Sequence, residues 1–210
     1  MLLLINRDNQ HMHLKTLASM HHLRKRVFKD VCNWPVNVIN GMEFDQFDTE
    51  NAHYLVHLDE SGKVNGCTRL ISTIHPYLLG DIYPELIASG NPPKQSDIWE
   101  TTRFCGDPEN APKNIVGILA AGMLEFALKS GIKEYVSISD IRIERIIKKF
   151  GWIPQRLGKV IRTTSEMSAG ESFVVKTNTY REVLLKSGIG QIEVIQNWHE
   201  FQDKPEEKVA

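Results

Sequence analysis

The chain has 210 residues, 41% apolar and 24% charged, with a formal net charge of −1. These values suit one large globular domain with a substantial core, and they leave no global case for a nucleic-acid or membrane partner. Cys32, Cys67 and Cys105 are odd in number, far apart and without a CxxC pair. That argues against a disulfide scaffold or structural zinc and for a reducing compartment, with each thiol read as buried filler.

The N-terminal MLLLINRDNQ has four consecutive apolar side chains after Met1, too few for a secretory h-region. The longest apolar stretch, IVGILAAGML over 115–124, stops at Glu125 and is too short to span a bilayer. The expectation is a cytoplasmic protein without a membrane span. Residues 1–6 read as a short strand. From about 14 to 31, Leu17, Met20, Leu23, Val27 and Val31 recur at helical spacing. Arg24 and Phe28 form an i,i+4 pair on the edge of that stripe. Cys32-Asn33-Trp34-Pro35 breaks the helix, because Pro disfavours helical geometry at the residue before it. A loop containing MEFDQFD then runs to about 51.

HYLVHL and KVNGCTRLISTI read as strands joined in a hairpin at Asp59-Glu60-Ser61-Gly62. Pro76 to Pro93 suggests a short helix in irregular chain, and DIWETTRF the next strand. A strong helix is expected over 113–129, with Gly131 as its stop. KEYVSIS is a buried-type strand, and Asp140 is a natural N-cap for a helix over 141–149. Strands near 158–164 and 171–178, a short helix around 180–187 and a frayed polar tail complete the chain. The sum is an α/β fold: a single domain over 1–190, its mixed sheet flanked by helices on both faces, with a C-terminal tail over 191–210.

Four groups of residues are candidates for chemistry. Glu43, Asp45 and Asp48 lie within six residues, interleaved with Phe44 and Phe47. An acidic loop, a ligand-holding loop and a metal site are all open, but no His stands nearby and no metal is assigned. Arg69 sits inside a strand and needs an acidic partner, which EFDQFD can supply. In IWETTRF, strand alternation sends Ile98, Glu100, Thr102 and Phe104 one way and Trp99, Thr101 and Arg103 the other. A bulge would re-aim one of the charges, and a kink is expected near Thr101–Thr102. Last, Arg142, Arg145, Lys148, Lys149, Arg156, Lys159 and Arg162 form a basic run containing one acid, Glu144. It reads as a solvated helix face or as a dock for phosphates or an acidic protein, with RNA a third and weaker choice. P-loop, GxGxxG, HExxH and GxSxG motifs are absent from the sequence.

Taken in order, the residues resemble the acyl-homoserine-lactone synthases, the LuxI-type autoinducer synthases. The resemblance rests on RxxVF (Arg24, Val27, Phe28), Trp34, ExDxxD (Glu43, Asp45, Asp48), GCxRL (Gly66, Cys67, Arg69, Leu70), Pro76 and WExxRF (Trp99, Glu100, Arg103, Phe104). It covers roughly residues 1–185. Ile71-Ser72 and Tyr83 depart from the family's common Leu-Pro and Phe.

The resemblance implies a fold like that of the GNAT acyltransferases. It also implies synthesis of an N-acyl-L-homoserine lactone quorum-sensing signal from S-adenosyl-L-methionine and an acyl thioester. Amide formation comes first, then lactonisation with release of methylthioadenosine. No bound cofactor is implied; S-adenosyl-L-methionine and either acyl-CoA or acyl-acyl carrier protein are substrates, with acyl carrier protein a candidate partner.

By the same resemblance, Glu100 is the leading general base with Asp45 the alternate. Arg24, Phe28, Trp34, Asp45, Asp48, Arg69 and Arg103 shape the S-adenosylmethionine pocket. Phe104, Leu119, Met123, Ser137 and Ser139 line the acyl pocket, with Ser137 or Ser139 against a substituent on the third acyl carbon. Arg142, Arg145, Lys148, Lys149, Arg156 and Lys159 dock the donor. The alternatives are a GNAT-type N-acyltransferase for another amine, whose pyrophosphate-binding run APKNIVGIL does not match, and a module that binds these ligands without turnover.

Overall fold

The computed structural model describes residues 1–88, 90–162, 166–190 and 194–201. A central sheet carries the strands β1 (Leu2–Ile5), β4 (His53–Leu58), β5 (Val64–Ser72), β6 (Ile98–Gly106), β7 (Glu134–Asp140), β10 (Met167–Val174) and β8 (Gln155–Arg156), in that spatial order. The short β9 (Ile161–Arg162) also pairs with β10. Every pairing is antiparallel except β6 with β7. This is the expected mixed α/β sandwich.

Side-chain alternation divides the core into layers. Leu2 and Leu4 of β1 pack under α3 (Ile115–Ser130), while Leu3 and Ile5 pack under α1 (Leu14–Arg24). Helix α3 is buried nearly all round, as its apolar run requires, and ends at Gly131 with φ 73°. α5 (Thr177–Ser187) and α4 (Ile141–Lys149) share its layer. The Asp140 side chain accepts the Arg142 amide at 2.6 Å and caps α4 as expected. A third apolar cluster joins Tyr77, Leu79 and Leu86, around α2 (Leu78–Asp81), to Val136 of β7.

Several elements differ from their sequence reading. The helix expected over 14–31 is α-helical only to Arg24, and Lys25–Val31 widens into a π-helix, with the Cys32 amide reaching Val27 O. The loop before residue 51 contains a hairpin, β2 (Asn37–Ile39) with β3 (Met42–Phe44), too short for a period-two signal. The last strand lies at 167–174 rather than 171–178, and α5 starts at Thr177. Cys67 and Cys105 are buried as expected, but Cys32 is only half-buried.

Residues 194–201, read by composition as part of a tail, pack on β1. Ile195 bridges Leu2 and is fully buried, and the Asn197 side chain bonds both Leu4 backbone groups. Residues 191–193 and 202–210 of that tail lie outside the described residues. Among the described residues, no helix is long and apolar enough to cross a membrane.

Candidate active site

The parallel ladder between β6 and β7 is short: Ile98, Trp99 and Glu100 pair with Glu134, Tyr135 and Val136. Beyond it the two strands fork. Thr101–Gly106 and Ser137–Asp140 then form opposite walls of a cavity of about 410 Å³. One end, on the α1 side of the sheet, is lined by Phe28, Trp34 and Arg103; the other, under α3 and α4, by Phe104, Met123, Ile147 and Trp152. The cavity therefore passes through the sheet, with an aromatic and cationic end and an apolar end.

A bulge in β6 shapes the first end. Cys67 pairs with Cys105 and Arg69 with Thr102, so Arg103 and Phe104 together oppose the single residue Thr68. Arg103 adopts φ 53°, a left-handed conformation costly for a long side chain. The bulge re-aims Arg103 onto the face of Thr102 and Glu100, where simple alternation placed it opposite them, and it turns Phe104 toward α3. The expected kink is thus present, but at Arg103–Phe104 rather than Thr101–Thr102.

Arg103 joins a closed ionic network. Its Nη2 donates to Glu43 Oε1 at 2.9 Å and lies 2.7 Å from Asp45 Oδ2. Arg24 donates from Nε to Glu43 at 2.5 Å and, through both terminal nitrogens, to Asp48 at 2.7 Å. Arg69 donates to both oxygens of Asp45 and to Asp48, and Tyr54 adds its hydroxyl to Asp48. Three guanidinium groups face three carboxylates, so the network is neutral within itself. The side chains of Arg24, Arg69 and Glu43 are fully buried. Such burial is tolerated only because every charge is paired and hydrogen-bonded.

Arg24, Asp48 and Arg69 are thus brought together as expected, but they lie behind the cavity wall; of the network only Arg103 lines it. Phe28 is stacked on Trp34, ring centroids 4.9 Å apart, and Arg103 lies 5.5 Å from the Phe28 centroid. Trp34 therefore offers the freer aromatic face to an occupant.

Burial raises the pKa values of Asp45 and Asp48, but hydrogen bonds and charges from Arg69 and Arg24, with Arg103 for Asp45, outweigh it and hold both below the ordinary aspartate range. An acid with a depressed folded pKa stabilises the fold above its unfolded pKa and loses that contribution as pH falls through the folded value. Thermal unfolding temperature is therefore expected to drop as pH falls below about 4, the ordinary aspartate pKa. An unfolding temperature that holds level from pH 6 down to 3 would contradict this assignment.

Glu100 stands at the apex of the fork and is nearly fully buried. Its carboxylate oxygens accept the Leu78 amide at 2.8 Å and the Leu79 amide at 2.6 Å. Desolvation pushes its pKa up to about 7, against the opposing pull of those amides and of Arg69. Such a group changes charge near neutrality, whereas Asp45, tied to two arginines, is a poor proton acceptor.

At the apolar end, Phe104, Met123, Ser137 and Ser139, the residues assigned to an acyl pocket, line the cavity. Leu119 does not. It is fully buried in the core, and Ala120, one helical position on, takes the wall beside Met123. Of the basic run, Arg142 is bound to Asp140 and Glu166, and Lys148 and Arg156 are bound to Glu144. Arg145, Lys149 and Lys159 are exposed.

Two features escaped sequence reasoning. Glu43, taken only as part of an acidic motif, bridges Arg24 and Arg103; its place in the short β3 gives no one-dimensional signal. Glu166 lines the cavity mouth with Asp140 and Arg142, and the Trp34 indole bonds to it. These residues are far apart in sequence and meet only through the fold.

Comparison with known proteins agrees with this geometry. Residues 8–195 match the family described as autoinducer synthase. The acyl-homoserine-lactone synthase of Aeromonas hydrophila is 34% identical over 164 residues, 75% of this chain and 79% of that protein. The acyl-homoserine-lactone synthase of Agrobacterium fabrum is 33% identical over 165 residues, 75% and 78% of the two chains. Among solved structures, the CoA-dependent acyl-homoserine lactone synthase MesI superposes with a TM-score of 0.84 at 25% identity, covering 94% of this chain and all of that one. The synthase LasI gives 0.78 at 25% identity, covering 92% and 97%. A putative N-acetyltransferase from Lactobacillus plantarum, 13% identical with a TM-score of 0.57 over 83% of this chain and 99% of that one, shares the fold alone. With a family match across most of its length and relatives above 30% identity, this protein belongs to the autoinducer synthase family of acyl-homoserine-lactone synthases.

Proposed function

We propose that the protein joins the α-amine of S-adenosyl-L-methionine to the acyl group of an acyl-CoA, then closes the lactone with release of methylthioadenosine. The observation that carries this reading is the cavity through the β6–β7 fork. S-adenosylmethionine, with its adenine and sulfonium, suits the end lined by Trp34, Phe28 and Arg103; the acyl chain suits the apolar end under α3. The amine and the thioester then meet at the fork, beside Glu100.

Glu100 is the general base for the amine, directly or through one water, because its pKa near 7 suits proton uptake at neutral pH. Attack on the thioester expels the thiolate of the carrier and forms the amide. In the second step the substrate carboxylate attacks the carbon next to the sulfonium and methylthioadenosine leaves. That step needs positioning more than acid–base help. Arg103 is placed to hold the substrate carboxylate, and the Glu43–Arg24–Asp48 network holds Arg103. Beyond the fork, β6 also offers backbone N–H groups to the thioester carbonyl from the wall at 104–106.

CoA as the carrier is supported by the fold's likeness to MesI, a CoA-dependent synthase, and by exposed Arg145, Lys149 and Lys159, which suit its phosphates. The basic face also supports the second reading, docking of an acidic acyl carrier protein. The test offers one acyl chain on both carriers to the purified enzyme and follows methylthioadenosine. CoA is expected to give the higher kcat/KM. Preference for the acyl carrier protein would overturn the donor assignment while leaving the reaction intact.

A further inference from the structure

Among the described residues, four charged side chains line the cavity: Arg103, Asp140, Arg142 and Glu166. Arg103 is balanced by Glu43 and Asp45 within the buried network. The other three meet at the mouth, where Arg142 Nη2 lies 2.5 Å from Asp140 and 2.9 Å from Glu166. Two carboxylates therefore share one guanidinium. The Asp140 and Glu166 side chains are mostly buried, whereas Arg142 is largely exposed. The mouth keeps a net negative charge where water screens it poorly.

The acid of this group is tied to the aromatic wall. The Trp34 indole N–H donates to the Glu166 carboxylate. Trp34 stands in irregular chain between the π-helix and β2, flanked by Asn33, with φ 54°, and by Pro35, so no regular element fixes its ring. Two contacts do so instead: Phe28 stacks on one face, and Glu166 holds the N–H edge. The other face is left to the cavity. A carboxylate that accepts the indole proton also polarises the ring, which makes that free face more attractive to a cation. Burial and the neighbouring Asp140 push the Glu166 pKa up, while the Trp34 N–H and Arg142 favour the ionised form.

We propose that Glu166 is a positioning residue that acts through Trp34: it holds the indole face at the cavity mouth and gives that face its selectivity for a sulfonium over a neutral thioether. This rests on the synthase reading given above. The distinction matters to the reaction. In lactonisation the substrate carboxylate bonds to the carbon next to sulfur, the C–S bond breaks, and its electron pair stays on sulfur. The sulfonium thereby becomes the uncharged thioether of methylthioadenosine. Trp34 and Glu166 attract the substrate as a cation, and that attraction ends when the cation does. The same pair thus retains S-adenosylmethionine and releases the product.

The test compares S-adenosyl-L-methionine with S-adenosyl-L-homocysteine, which differs from it by one methyl group and the sulfonium charge. Dissociation constants are read by calorimetry at pH 8, where glutamates are ionised. The wild type is expected to bind the sulfonium compound about tenfold more tightly, the size of a desolvated cation–π contact. Glu166→Gln keeps an oxygen to accept the indole N–H but removes the charge. The preference should then fall to roughly threefold, the worth of an exposed contact, with little change in affinity for S-adenosyl-L-homocysteine. Trp34→Phe keeps an aromatic face but has no N–H to donate. Adding Glu166→Gln to Trp34→Phe should leave the preference where it is.

Equal loss of affinity for both ligands in Glu166→Gln would make Glu166 a mere support of the mouth and overturn the assignment. So would an unchanged preference in that variant, a wild type without preference, or a further drop when Glu166→Gln is added to Trp34→Phe. If Trp34→Phe fails to fold, the ratio in Glu166→Gln decides the matter alone. Methylthioadenosine release from S-adenosylmethionine and an acyl-CoA is followed alongside, and its absence in the wild type would instead sink the synthase reading itself.

Discussion

Asp48→Ala is expected to destabilise the fold by about 3–5 kcal/mol, the cost of breaking a buried ion pair from one side. For a chain of this length that lowers the unfolding temperature by on the order of 10 °C. The size follows from what Asp48 holds: both terminal nitrogens of Arg24, one of Arg69, the Tyr54 hydroxyl and the Asp45 amide. Without it, Arg24 keeps a single bond to Glu43, and Tyr54 loses its acceptor. Both guanidinium groups are fully buried, so water cannot replace the lost carboxylate.

The control is Arg7→Ala. Arg7 pairs with Glu50 at 3.1 Å, but both side chains are mostly exposed, and the change should cost less than about 1 kcal/mol. Denaturant unfolding of the two variants checks the contrast. A loss below about 1 kcal/mol for Asp48→Ala would mean that the network is not the rigid support described here.

Glu100→Gln is expected to lower kcat roughly 10²–10⁴-fold, the usual worth of a general base, with little change in S-adenosylmethionine affinity. Glutamine retains an oxygen to accept one amide from α2, so the fold around it should persist. In the wild type, rate should rise with pH through about 7, because Glu100 must be ionised to accept a proton and burial holds its pKa there. That limb should vanish in the variant. Pre-steady-state binding together with a pH–rate profile separates the outcomes. Weaker binding with normal turnover at saturation would place Glu100 in the pocket rather than in the chemistry.

The same carboxyl illustrates what the sequence could and could not disclose. Strand periodicity located IWETTRF, and the charges flanking its threonines flagged a bulge. The bulge itself depends on β5, where Thr68 faces two residues of β6, and a one-dimensional pattern cannot carry that register. Arg69 inside a strand announced the need for an acid, and Asp45 and Asp48 answer it. Glu43 gave no comparable signal. Its role depends on β3 packing beside the end of α1, where Arg24 stands, a tertiary contact that leaves no periodic trace. Likewise Leu119 and Ala120 are indistinguishable as wall candidates on a helix apolar all round; only the packing of α3 separates them.

Composition misplaced the chain's end. The polar composition from about 200 reads as a frayed tail, and the domain is expected to end at 190, yet Val194 and Ile195 supply buried apolar contacts, and Glu200 is fixed by Asn9, His13 and Asn197. Asn9 and His13, distant in sequence, converge with the nearby Asn197 on that one carboxylate, a polar anchor that appears only once the N-terminal and C-terminal segments are side by side.

The central claim is that the two ends of one cavity bring an amine and a thioester together and then expel methylthioadenosine. The most direct measurement is the stoichiometry of products from S-adenosyl-L-methionine and an acyl-CoA, with mass spectrometry to identify them. One methylthioadenosine and one N-acyl-homoserine lactone per free CoA are predicted, with none formed when either substrate is left out. Free CoA appearing with another acylated amine and no methylthioadenosine would contradict the account.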